Sequence, residues 1–188
     1  SETGSFTFVT SGPIVSIVNG GSEQSRINVD HPETLEFEYM QQMNEVMDLA
    51  IPAPEPISAL HIGGCGCALA WAWEVLRPGS RQLAIEVDAD LVTAVRERLP
   101  LPRKPLLRLR AAEGAAALAA SKAQYQVIVR DAFTDSEVPA HLQTVEWCNL
   151  VAQHLRPGGI YLANVAHGGQ VSGRADVAAA AEAFDGVP

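Results

Sequence analysis

Residues 57–68 read ISALHIGGCGCA: an apolar strand, Ile57 to Ile62, runs straight into a bend built from Gly63, Gly64, Cys65, Gly66, Cys67 and Ala68. An apolar helical stretch, Ala68 to Leu76, follows without a spacer. An unbroken apolar run suits a strand covered on both faces, and a glycine turn that opens a helix begins a βαβ unit. The same alternation continues downstream. Strands are expected at Gln82 to Val87, Leu106 to Arg110, Tyr125 to Arg130 and Ile160 to Val165, with helices at Ala89 to Leu99, Gly114 to Ser121 and His141 to Leu155. Arg77-Pro78-Gly79, Leu99-Pro100 and Arg156-Pro157-Gly158-Gly159 punctuate the crossovers, since proline and glycine stop helices there. Repeated strand–helix steps in this order predict an α/β fold with a doubly wound, mostly parallel sheet.

Upstream, short β-type runs at Ser5 to Thr10, Ile14 to Val18 and Arg26 to Asp30 are separated by Gly12-Pro13 and Asn19-Gly20-Gly21. They predict a small β-ribbon over residues 1–32, placed before the sheet unit of residues 33–188. Leu35, Tyr39, Met40, Met43, Val46, Met47 and Ala50 recur by threes and fours, the stripe of a helix with one buried face. That helix is expected to stop at Pro52, Pro54 and Pro56. A further Ala-rich helix is expected near 175–184.

With 188 residues, 47% of them hydrophobic, the chain is long enough for a full core. Thirteen Lys+Arg against 22 Asp+Glu give a net charge of −9, which excludes nucleic acid as an expected partner. No apolar run approaches a bilayer span and the N-terminus lacks a signal-peptide pattern, so no membrane association and a cytoplasmic location are expected. Cys65, Cys67 and Cys148 do not make a disulfide framework. Cys65 and Cys67 have no second Cys/His pair at ligand spacing, and the five histidines are scattered, so no metal site is expected.

Ligands of an open parallel sheet bind beyond the carboxyl ends of its strands. Four loops fall on that edge here. In the first, small residues from Gly63 to Ala68 leave the backbone open to a ligand. The second carries Glu86, roughly 20 residues past the first glycine, where a carboxylate accepts hydrogen bonds from both hydroxyls of a ribose. The third is Ala112-Glu113-Gly114, and the fourth runs from Arg130 through Asp131 to Asp135. Glu86 and Glu113 also stand where a carboxylate caps a helix. A dinucleotide fingerprint would need glycine where Leu69 stands, so a nucleoside without phosphates, such as S-adenosylmethionine or a relative, suits these loops better.

Residues 18–167 resemble the spermidine synthase family, polyamine aminopropyltransferases built on the S-adenosylmethionine-dependent methyltransferase fold, and especially its actinobacterial spermidine synthase-like members. The resemblance is carried by GGSEQSRINVDHPETLEFEYMQQM, LHIGGCGCALAWAWEVLRPGSRQLAIEVD, YQVIVRDAFTDSEVPAHL and LRPGGIYLANVA. It implies a Rossmann-like methyltransferase sheet whose last two strands lie outside this chain, since few residues follow Val165.

The resemblance also assigns residues. Gly63, Gly64 and Gly66 stand in the family's glycine loop, with Gly66 at the position of its acidic member. Glu86, followed by Asp88, matches the ribose-binding acid, and Glu113-Gly114 stands at the pair that faces the adenine. Gln24 resembles the glutamine of the segment that closes over the ligand. On the acceptor side, Asp131 matches the first aspartate of the gate and is the expected base. Asp135 approximates the second, four residues on where the family has three, and Tyr39 keeps the family's tyrosine. Met40 and Gln41 replace the His and Glu that follow that tyrosine. The implied activity is aminopropyl transfer from decarboxylated S-adenosylmethionine to a small amine by a homodimeric transferase that needs no metal. Methyl transfer from S-adenosylmethionine, or ligand binding without catalysis, remain open alternatives.

Overall fold

The computed structural model of the chain describes residues 6–64, 66–134, 137–165 and 173–184. The first three strands, β1 (Phe6–Ser11), β2 (Ile14–Asn19) and β3 (Ser22–Asn28), form an antiparallel three-stranded ribbon. Its second hairpin turns through Gly20 and Gly21, both at positive φ, which matches the twist of the flanking strands. The third strand is earlier and longer than the run Arg26 to Asp30 that the sequence suggests, because Ser22 and Glu23 pair with Asn19 and Val18 across that turn.

The helix α1 (Glu38–Ala50) buries Met40, Met43 and Met47. Leu35 lies outside it, in a bridge with Ile27 of β3, and Val46 and Ala50 face solvent, so the buried stripe is narrower than its spacing suggests. The main sheet follows: β4 (Ser58–Ile62), α2 (Ala68–Leu76), β5 (Arg81–Glu86), α3 (Ala89–Arg98), β6 (Leu107–Ala111), α4 (Gly114–Ala119), β7 (Tyr125–Arg130), α5 (Val145–His154), β8 (Leu155–Ala163) and α6 (Arg174–Phe184). Its strand order is β6-β5-β4-β7-β8, and every neighbour pair is parallel. This is the doubly wound arrangement of a Rossmann-like methyltransferase fold. The chain steps outward from β4 on one side, returns, and steps outward on the other, so the order reverses between β4 and β7.

Alternation along the strands divides the interior in two. Ala59, Ala84, Val127 and Val129 pack with α1, α2, α3 and the ribbon residues Ile17 and Ile27. Leu60, Ile62, Ile85 and Ile128 pack with α4, α5 and α6 on the opposite face. His61 also faces the first layer, fully buried, where its Nε2–H donates to Gln82 Oε1 at 3.0 Å and its ring packs on Trp73. Gln82 in turn donates to the Ala70 carbonyl at 2.6 Å, so both ends of its buried amide have a partner.

In the main sheet, two element starts lie four residues or more from expectation. A short 3₁₀ turn, Ala140–Leu142, precedes α5, whose N-cap Thr144 accepts from the Trp147 amide, so the helix starts later than His141. The last strand begins at Leu155 because Arg156 to Gly159 form an irregularity within its pairing to β7, not a connection ahead of it. Among the described residues, no helix is long and apolar enough to cross a membrane.

Candidate active site

Where the order reverses, the pairing of β4 with β7 runs to the carboxyl end: the Asp131 amide donates to the Ile62 carbonyl at 2.8 Å. That bond sets Asp131 beside the bend that leaves β4. Gly63, at φ +85, passes so close that a Cβ there would run into the Asp131 carbonyl oxygen. A Cβ at Gly64 would lie 2.9 Å from the Ala84 methyl, one at Gly66 2.5 Å from Ser25 Oγ, and one at Gly114 2.6 Å from Ile62 Cγ2. The directions that a Cβ would take at these positions are occupied by the protein's own chain. The glycines are required by close packing of the bend against β5, β7, α4 and the ribbon.

Three of the bend's amides are also committed. Gly63 and Gly64 both donate to the Ile85 carbonyl, at 2.9 and 3.0 Å, and the Cys67 amide donates to the Gly64 carbonyl at 2.7 Å. Amides turned inward in this way do not form the cradle that a pyrophosphate uses. A nucleoside that brings no phosphate makes no demand on these three amides. Cys67 caps α2 in the left-handed region at φ 62. Its buried thiol is pushed up to about 12 by burial and then by the neighbouring Glu86 charge, with Arg96 pulling the other way. Glu86 thus lies next to the bend, half-buried at the end of β5, and its Oε1 accepts the Asp88 amide at 3.1 Å. Asp88 caps α3, accepting the Asp90 and Leu91 amides.

Asp131 is the centre of a second cluster on this edge. Tyr39, in the first turn of α1, donates its hydroxyl to Asp131 Oδ2 at 2.7 Å, and Asn164, just past β8, donates Nδ2 to Oδ1 at 2.9 Å. Burial pushes the Asp131 pKa above the ordinary carboxylate value, against the opposing pull of Asn164, Tyr39 and the Arg130 charge. A carboxylate held by two neutral donors and raised by desolvation is suited to accepting a proton.

Directly behind it, Arg130 is wholly buried and ion-pairs with Asp176 of α6 at 2.6 Å. Its other bonds go to the Leu142 and Asn164 carbonyls, each at 3.0 Å.

The other expected site residues that are described have partners of their own. Glu113 caps α4 through the Ala115 and Ala116 amides, at 3.0 and 2.7 Å, and accepts His141 Nε2–H at 3.0 Å. Burial raises its pKa, but these amides and His141 outweigh that and hold it below the ordinary value. Gln24 is the extra residue of a β-bulge, falling between the pairs Ile17–Ser25 and Val18–Glu23, and its amide reaches only the Ser22 carbonyl at 3.5 Å. Bulges commonly re-aim a side chain beside a site. Asp135 and Cys65 lie outside the described residues. Asn164 was not among the residues expected from sequence. Its signal is a lone polar side chain directly after an apolar strand, at the ligand edge.

A cavity of about 210 Å³ lined by Leu60, Ile85, Leu118 and Tyr125 lies on the α4 side of the sheet, away from Asp131.

No family model matches the chain. Over 122 residues it is 29% identical to the "Probable polyamine aminopropyl transferase" of Bifidobacterium longum (strain NCC 2705), a match covering 63% of this chain and 27% of that protein. The crystal structure of a probable spermidine synthase from Corynebacterium glutamicum ATCC 13032 superposes with a TM-score of 0.78 at 28% identity, covering 86% of this chain and 61% of that one. Human Methyltransferase-like protein 13, solved in complex with SAH, aligns with a TM-score of 0.58 at 19% identity over 66% of this chain and 63% of its own, which bears on the fold alone. The chain thus spans about a quarter of its curated relative and less than two thirds of the bacterial synthase. In sequence and in fold, it is spermidine synthase-like on a methyltransferase-type sheet.

Proposed function

We propose that the chain binds decarboxylated S-adenosylmethionine along the carboxyl edge of β4 and β5 and transfers its aminopropyl group to a small amine held at Asp131. The observation that carries this reading is the Tyr39–Asp131–Asn164 arrangement where the strand order reverses. The similarity to an aminopropyl transferase and to a spermidine synthase supports it. Glu86 takes the ribose hydroxyls, and Gly63, Gly64 and Gly66 shape the adjoining bend. Glu113 and Gly114 border the adenine, and Gln24 closes from the ribbon. Tyr39 lines the acceptor side, to which the family resemblance also assigns Asp135.

The co-substrate supplies a sulfonium leaving group, so the step needs no metal. Asp131 accepts a proton from the acceptor ammonium and leaves its nitrogen lone pair free. The nitrogen attacks the carbon beside sulfur, the C–N bond forms as the C–S bond breaks, and sulfur leaves as a neutral thioether. Tyr39 and Asn164 keep the carboxylate aimed at that nitrogen. In this reading the protein works as a cytoplasmic homodimer.

One feature favours methyl transfer from S-adenosylmethionine as the second reading. Gly66 stands where the resembled family has an acid for the amino end of the decarboxylated compound, and a Cβ there would lie 2.5 Å from Ser25 Oγ, so a side chain enters only if Ser25 moves. Calorimetry with each sulfonium compound, alongside spermidine release from putrescine, separates the two. Tight binding of the decarboxylated form with spermidine release is expected. Preference for the intact form overturns aminopropyl transfer in favour of methyl transfer.

A further inference from the structure

We propose that Arg130 is a positioning residue, which fixes the Asp131 carboxylate by clamping Asn164 from beneath. The proposal rests on the reading of Asp131 as the acceptor-side base. Arg130 and Asn164 hold each other reciprocally: the Asn164 amide donates to the Arg130 carbonyl at 2.9 Å, and the Arg130 guanidinium donates to the Asn164 carbonyl at 3.0 Å. With both backbone groups of Asn164 tied, its side-chain amide is delivered to Asp131 Oδ1. The same guanidinium reaches the Leu142 carbonyl, at the far end of the loop that starts with Asp131, and Asp176 of α6. One side chain therefore gathers the β7 loop, the β8 exit and α6 around the carboxylate.

Stability alone does not account for this choice. A buried ion pair loses much of its attraction to desolvation, and well-packed apolar residues commonly replace one at no cost. Arg130 also leaves its Nε without a hydrogen-bond partner, a further penalty for a wholly buried group. What apolar residues would not supply is directional hold on three backbone segments. The charged and titratable groups facing the guanidinium are Asp131 on its own loop, Asp176 from α6, Cys148 from α5 and Tyr161 from β8.

The test pairs Arg130→Met/Asp176→Leu, which keeps the volume without the charges, with Arg130→Lys, which keeps the charge without the fork. Carboxyl-carbon NMR follows the Asp131 titration, and kinetics with putrescine separate kcat from KM. In both variants kcat falls by about tenfold or more while affinity for the adenosyl compound changes by less than about twofold. In Arg130→Lys, which keeps the charge, the Asp131 midpoint also moves to higher pH, because a loosened Asn164 pulls it down less. An unmoved midpoint in Arg130→Lys overturns the proposal, as does a folded double variant with intact kcat, or a kcat loss matched by an equal loss of adenosyl affinity. Should the double variant not fold, Arg130→Lys decides on its own. If the wild-type chain turns over no amine, the functional reading falls by itself, and the carboxyl titration still decides whether Arg130 positions Asp131.

Discussion

Tyr39 and Asp131, 92 positions apart in the chain, meet through a 2.7 Å hydrogen bond from the phenol to the carboxylate. The bond joins α1, on one face of the sheet, to the loop where the strand order reverses. It places an aromatic donor and a desolvated acid at the same point of the ligand edge.

Removing that donor in Tyr39→Phe is expected to cost about 1–2 kcal/mol in chemical denaturation. Because Tyr39 pulls the Asp131 pKa down, its loss lets burial push that pKa higher. A base works deprotonated, so the acid limb of the pH–rate profile moves to higher pH. An unshifted limb argues that the bond is only structural.

Asp131→Asn should abolish group transfer and leave adenosyl affinity within about twofold. It also has a stability signature. The folded-state pKa of Asp131 is raised, so folding favours its protonated form, and the charged form becomes a cost as pH rises through that elevated value. Relative to the Asn variant, the wild type therefore loses stability with rising pH across this window. Urea denaturation at several pH values checks the sign.

His61 carries the opposite kind of pH dependence. Burial lowers its pKa from 6.5 to about 4, with the Gln82 hydrogen bond opposing. Stability is present in full above pH 6.5 and declines toward pH 4, as the unfolded chain takes up a proton that the folded chain refuses. The decline is roughly 3 kcal/mol for this one group. His61→Gln, which keeps a donor toward Gln82, flattens this part of the stability profile. An unchanged slope would show that His61 is not its source.

The bend glycines should differ in tolerance. Gly63→Ala combines positive φ with a collision against backbone, and should cost about 3 kcal/mol or more. Gly66→Ala meets the Ser25 and Ile27 side chains, which yield more easily, at about 1–2 kcal/mol. Adding Ser25→Gly to Gly66→Ala should recover part of that loss, and a double-mutant cycle with no coupling refutes the contact.

The alternation of apolar runs and helical stretches was enough to read the doubly wound sheet. Ala68 to Leu76 and Tyr125 to Arg130 match the observed elements to the residue, because the bend on one side and polar breaks on the other delimit them. Periodicity failed where tertiary pairing decided instead. Leu35 fits the stripe of α1 yet serves Ile27, and Arg156 to Gly159 resemble a turn yet lie inside the pairing of β8.

At the site, Tyr39 and Asp131 were legible and are brought together. Asn164 and the role of Arg130 were not, since a single polar residue after a strand and a basic one at a strand end carry no spacing signal. Glu113 shows the other limit: from sequence a carboxylate ahead of a helix carries both a cap and a ligand reading, and the structure adds the two amide bonds by which it caps α4.

The contact of Ser25 and Ile27 with Gly66 makes the ribbon a back wall for the bend. Bulk added on one side must be subtracted on the other, so positions 25, 27 and 66 form a single volume constraint shared between distant stretches of chain. An engineer wishing to plant a carboxylate in the bend would first have to carve space for it out of the ribbon.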